Sequence, residues 1–109
     1  MTGDELLDAL IDTLEQLAAI LPGDKVVWDA EPTIRLAVER LWITAGNVAE
    51  AYRKDVLDAD PGVEPWSELV AYRNKLAHAL PGDLSTDRIY VDSRADPVRL
   101  LARIRDERP

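Results

Sequence analysis

"TGDELLDALIDTLEQLAAIL", residues 2–21, is the stretch from which the architecture follows. Leu7, Leu10, Leu14, Leu17 and Leu21 recur at spacings of three and four with Asp and Glu between them. That is the period of an amphipathic helix with one stripe to bury. Thr2 and Glu5 form a T-x-x-E capping box at its start, so the helix is expected from Thr2 to about Leu21.

Pro, Gly and Asp then punctuate the chain at "LPGDK" (21–25), "DADPGVEP" (58–65) and "LPGD" (80–83), which leaves four helical pieces. The second is expected over 32–56, entered at Pro32, a residue suited to a first helical turn. Its stripe of Ile34, Ala37, Leu41, Ala45, Val48 and Tyr52 is widened by Trp42, Ile43 and Ala49. A helix apolar on two sides needs cover on two sides, and in so short a chain the second cover is expected from another subunit. The third helix, expected over 64–79, carries the apolar residues Trp66, Leu69, Val70, Leu76, Ala77 and Leu80, with Arg73 near the centre of their stripe.

After the last turn, "RIYVD" (88–92) reads as a short extended segment. It precedes a final helix that Asp96 would cap and Pro97 would open, with Val98, Leu101 and Ile104 facing the core and Leu100 beside them. The expectation is an all-α chain, residues 1–109 forming one domain. Its architecture would be an antiparallel four-helix bundle with one short extended segment before the last helix.

Composition agrees with that class. Hydrophobic residues make up 47% of the 109 and charged residues 31%, while phenylalanine is absent, so Leu, Ile, Val and Ala pack the core with the help of Trp28, Trp42 and Trp66. No cysteine and a single histidine argue against a zinc site, and no metal or cofactor is expected. The start lacks a basic region followed by an apolar run, and no apolar stretch approaches membrane-spanning length, so a cytoplasmic protein without a membrane partner is expected.

The formal net charge of −8 argues against a protein that coats nucleic acid nonspecifically. The charge is uneven. Up to Ile34 the acids Asp4, Glu5, Asp8, Asp12, Glu15, Asp24, Asp29 and Glu31 face Lys25 alone, whereas Arg88, Arg94, Arg99, Arg103, Arg105 and Arg108 dominate the C-terminal part. Either an anion is met locally, or the acidic first helix docks a basic partner, or these are solvated faces that keep the protein soluble.

Two residues of "AYRNKLAHAL" (71–80) invite chemistry. An arginine centred in an apolar stripe is costly unless partners are supplied. One answer is structural: Arg73 pairs with a carboxylate such as Glu50 or Glu39 and lays its stem along the core. The other is that its planar, permanently charged guanidinium lines a groove where phosphate arrives, with Ser67, Asn74 and His78 on the adjoining strip. His78, the only histidine, sits at a predicted helix end where the macrodipole favours imidazolium. It is either a cap or surface residue, or a general acid/base acting on the 2′-hydroxyl of RNA. Arg73 and His78 are five residues apart, about 140° around an ideal helix and about 7.5 Å along it. Two copies of the helix about a twofold axis would converge on one phosphate more easily than one copy.

Residues 66–78, "WSELVAYRNKLAH", resemble the signature of the HEPN superfamily, and specifically of its HepT-like toxins: an arginine, a polar residue, a short spacer, then histidine. Trp66 upstream of Arg73 and the long second helix are similar to the family's features, and the resemblance covers about residues 4 to 104. The resemblance implies a HEPN-type bundle and a homodimer with the motif at the cleft between protomers. The implied activity is that of a metal-independent endoribonuclease, the toxin of a type II toxin-antitoxin system neutralised by a nucleotidyltransferase-fold antitoxin. By position Arg73 and His78 would be catalytic, with Asn74, Ser67 and Lys75 supporting RNA contact. In such toxins the histidine is followed two places on by a tyrosine that the antitoxin adenylylates; here that place is Leu80. Tyr90 would have to substitute, or inhibition would be steric. The rival reading is a non-catalytic HEPN module that binds a nucleotide or a partner protein.

Overall fold

The computed structural model describes residues 1–78 and 84–107, and among these every regular element is helical. α1 spans Gly3–Ile20. Thr2 caps it, its hydroxyl accepting from the Glu5 amide at 3.1 Å and donating to the Glu5 carboxylate at 3.2 Å. Leu7, Leu10, Leu14 and Leu17 are buried, as the leucine spacing requires; Leu6 is buried beside them, and Leu21, at the C-cap, is half-buried. Each such side chain contributes about 1.5–3 kcal/mol on leaving water.

α2, Lys25–Ala30, is a single short helix with no counterpart in the sequence reading. Asp24 caps it by accepting from the Val26 amide at 2.9 Å. At its other end the Arg35 guanidinium donates to the carbonyls of Trp28 (2.8 Å) and Asp29 (2.9 Å), groups that a helix terminus otherwise leaves unpaired. Buried Trp28 anchors this helix, its indole N–H donating to the Thr86 carbonyl at 3.1 Å and its ring lying 5.4 Å from that of Tyr90.

α3, Pro32–Ala51, continues into a π-helical turn over Tyr52–Val56, closed by the Leu57 amide donating to the Tyr52 carbonyl at 3.1 Å. The expected end at residue 56 is thus met by two kinds of helix. Asp58, at φ 45°, takes the left-handed conformation that Asp tolerates and ends the run. Val38, Trp42, Ala45 and Ala49 are all buried because α3 packs against α1 and α4 at once. Of the expected stripe, however, Ile34, Leu41 and Val48 are only partly buried and Ala37 is exposed, as is neighbouring Leu36 at 66%, so packing within the chain covers this apolar surface in part.

α4, Trp66–His78, runs antiparallel to α3: Tyr52 stacks on Trp66 at 4.8 Å, Gly46 meets Leu69 and Arg73, and Trp42 stacks on Tyr72 at 4.6 Å. The expected helix end at Ala79, the apolar position Leu80 and the turn at 80–83 lie outside the described residues.

α5, Thr86–Arg105, corrects the sequence reading twice. Residues 88–92 are helical, not extended, and the helix starts at Ser85, whose hydroxyl accepts from the Arg88 amide at 3.0 Å. Asp96 and Pro97 lie inside it. Tertiary contact overrides the local pattern: Ile89, Ser93, Pro97, Leu100 and Ile104 fall at helical spacing and are buried, so residues 88–92 gain more as part of one long face than as an isolated strand. That register turns Val98, an expected core residue, outward at 67% exposure. Buried Ser93 accepts the Trp42 indole N–H at 2.9 Å, which ties α5 to α3 through the middle of the bundle. Among the described residues no helix is long and apolar enough to cross a membrane.

Candidate functional site

Arg73 reaches the face of α4 that lies against α3, and Gly46 is what lets it do so. A Cβ at residue 46 would stand 2.3 Å from the Arg73 Cβ and 2.8 Å from the Leu69 carbonyl oxygen. Without that side chain α3 comes close enough for the arginine stem to cross it. Its guanidinium is then met by polar groups. Nη1 donates to the Glu50 carboxylate and, at 3.1 Å, to Asn47 Oδ1; Nε and Nη2 donate to Asn74 Oδ1 at 3.1 and 2.9 Å.

The Arg73 side chain is 19% exposed and that of Glu50 33%, so the pair is neither bare nor sealed. The hydrogen bond from Arg73 holds the Glu50 carboxyl below its usual range; burial acts in the opposite direction, and the charges of Arg73, Lys54 and Arg53 add to the lowering. Of the two answers available for Arg73, the carboxylate partner is present and it is Glu50, not Glu39.

The guanidinium nevertheless borders an open groove of about 260 Å³, whose lining includes Asn47, Glu50, Lys54, Asp55 and Arg73. Asn47, Glu50 and Lys54 come from successive turns of one side of α3 and its π-helical continuation. Sequence reasoning named Glu50 only as a possible counter-ion and missed Gly46, Asn47 and Lys54. The polar spacing at 47, 50 and 54 was visible; what was not visible is that this side of α3 faces Arg73.

The other predicted residues are dispersed. His78 is the last residue of α4 and is exposed, placed by the regular helix five residues beyond Arg73. Asn74 is exposed and bonded to Arg73. Ser67 is half-buried in the first turn of α4, its amide donating to the Val63 carbonyl at 2.9 Å. Lys75 points the other way, into a groove of about 370 Å³ between α4 and α5. There the Tyr72 hydroxyl donates to Asp92 at 3.1 Å, and burial together with the neighbouring carboxylates of Asp92 and Asp96 pushes the phenol's pKa up, so it stays neutral. Tyr90 is 4% exposed and its hydroxyl donates to the Pro22 carbonyl at 2.9 Å, so a modifying enzyme would have to open that contact first. Leu80, where the toxins that the motif resembles carry a tyrosine, lies outside the described residues.

The chain therefore holds an anchored guanidinium on a groove and, five residues on along the same helix, an exposed histidine. Comparison with protein-family models, with curated proteins and with solved structures gives no match.

Proposed function

We propose that this protein is a metal-independent endoribonuclease of the HepT-like HEPN kind, acting as a homodimer and serving as the toxin of a toxin-antitoxin pair. The observation that carries the reading is Arg73: a guanidinium fixed at the edge of an open groove by Asn47, Glu50 and Asn74, on the helix that ends in the exposed His78. The all-α bundle agrees with it.

In this mechanism the His78 imidazole takes the proton of an RNA 2′-hydroxyl as that oxygen attacks the adjacent phosphorus. The phosphorus–O5′ bond breaks, and the imidazolium returns its proton to the departing 5′-oxygen. Arg73 holds the charge that builds on the non-bridging oxygens, a role suited to its planar, permanently ionised head. Asn74 fixes the guanidinium plane through two hydrogen bonds. Because the two residues diverge around α4, a second protomer brings its own α4 to the same cleft. The antitoxin, a nucleotidyltransferase-fold protein, inhibits by covering this cleft. Leu80 offers no hydroxyl to adenylylate, and that of Tyr90 is buried.

The test is an RNA oligonucleotide incubated with the protein in EDTA. Fragments ending in 2′,3′-cyclic phosphate and 5′-hydroxyl are expected, and a single 2′-deoxy substitution at a cut site should abolish that cut alone. Cutting that persists at the deoxy position would exclude the mechanism.

A second reading is favoured by the three side-chain partners that hold the Arg73 guanidinium, Asn47, Glu50 and Asn74, in which the residue is a clamp between α3 and α4 in a non-catalytic module that binds a nucleotide or partner protein. Under that reading Arg73→Ala lowers stability by about 1–3 kcal/mol for a partly exposed pair, and no RNA is turned over.

A further inference from the structure

Glu50 occupies the place on Arg73 that a phosphate would need. We infer that Glu50 is an internal competitor for the anion site: its carboxylate closes the guanidinium in the resting protein and is displaced when a phosphodiester group enters the groove. The inference rests on reading Arg73 as a phosphate-holding residue.

Three observations carry it. A carboxylate oxygen and a phosphate oxygen are both anionic acceptors for a guanidinium N–H, so the two compete for the one donor that Glu50 takes here. Here the contested donor is Nη1, while Nε and Nη2 are held by Asn74, so the head stays oriented when the carboxylate leaves. The groove beside the pair is open, about 260 Å³, so an incoming group has room and need not unpack a helix.

The displaced carboxylate also has somewhere to go. Lys54, four residues on and lining the same groove, already exerts a favourable charge interaction on Glu50. Turning Glu50 towards Lys54 exchanges one cation for another, and the net charge of the groove lining does not change. Such exchange would discriminate between ligands. A single small anion gains little by evicting Glu50, whereas a polynucleotide anchored elsewhere brings its phosphate at high local concentration.

The experiment follows Arg73 Nε–H by NMR while inorganic phosphate is titrated into the native protein, Glu50→Gln and Glu50→Asp. Glu50→Gln keeps an acceptor for Arg73 but removes the competing charge, and phosphate should bind about tenfold tighter than to the native protein. Glu50→Asp draws the carboxylate back by one methylene, should fall between the two, and decides the matter if Glu50→Gln does not fold. Phosphate that shifts Arg73 but binds the Gln and Asp variants no more tightly than the native protein overturns the inference, since Glu50 then only positions Arg73; the ribonuclease reading survives. If phosphate leaves the Arg73 signal unmoved in all three proteins, both the inference and the reading of Arg73 as a phosphate group fail.

Discussion

Gly46 and Arg73 define one contact from opposite sides. In a helix interior glycine is about 1 kcal/mol less favourable than alanine, so propensity alone predicts that Gly46→Ala stabilises. The geometry predicts the opposite, because the new Cβ would meet both a Cβ and a backbone oxygen of α4 well inside contact distance. We expect a net loss of about 1–3 kcal/mol, read from urea unfolding; an unchanged or raised midpoint would mean that α3 and α4 do not approach as closely as described. Arg73 itself was legible in the sequence, since a charge amid Trp66, Leu69, Val70 and Leu76 demands an explanation. Its partners were less so. Glu50 could be named among acids on the neighbouring helix, but Gly46 and Asn47 depend on how two helices cross, which periodicity along one helix does not encode.

The helices divide in the same way between what local pattern determines and what packing determines. α1 could be read almost to the residue because cap, stripe and charged face all agree, and the start of α3 at Pro32 was equally plain. α5 was misread where "RIYVD" favours a strand locally and Pro97 resembles a helix start. Both signals yield to a face running from Ile89 to Ile104, and the cost of Pro97 in a helix interior is offset by its burial there. The link between Trp42 and Ser93 is the polar contact that fixes α5 against α3. A double-mutant cycle with Trp42→Phe and Ser93→Ala should give a coupling of about 1 kcal/mol. Purely additive losses would show that this hydrogen bond contributes nothing to the docking of α5 on α3.

Over the full bundle the uneven charge of the sequence becomes a set of cross-links. Arg105 meets Glu15 at 2.6 Å and Arg99 meets Glu68 at 2.5 Å, so part of the C-terminal cationic excess faces acids on other helices, while the N-terminal Lys25 joins Asp87 of α5 at 2.8 Å. These pairs are exposed to solvent, so screening leaves them little weight in stability. The broad apolar surface of α3 is covered within the chain only in part, with Leu36 66% exposed and Ile34, Leu41 and Val48 half-buried. The functional argument for two copies is the divergence of Arg73 and His78 around α4. The most direct measurement compares RNA cleavage in EDTA by the native protein, His78→Ala and Arg73→Ala, with helical content and unfolding midpoint recorded for each. We predict cleavage by the native protein and its loss in both variants, with His78→Ala as stable as the native protein; equal cleavage by all three would contradict the assignment.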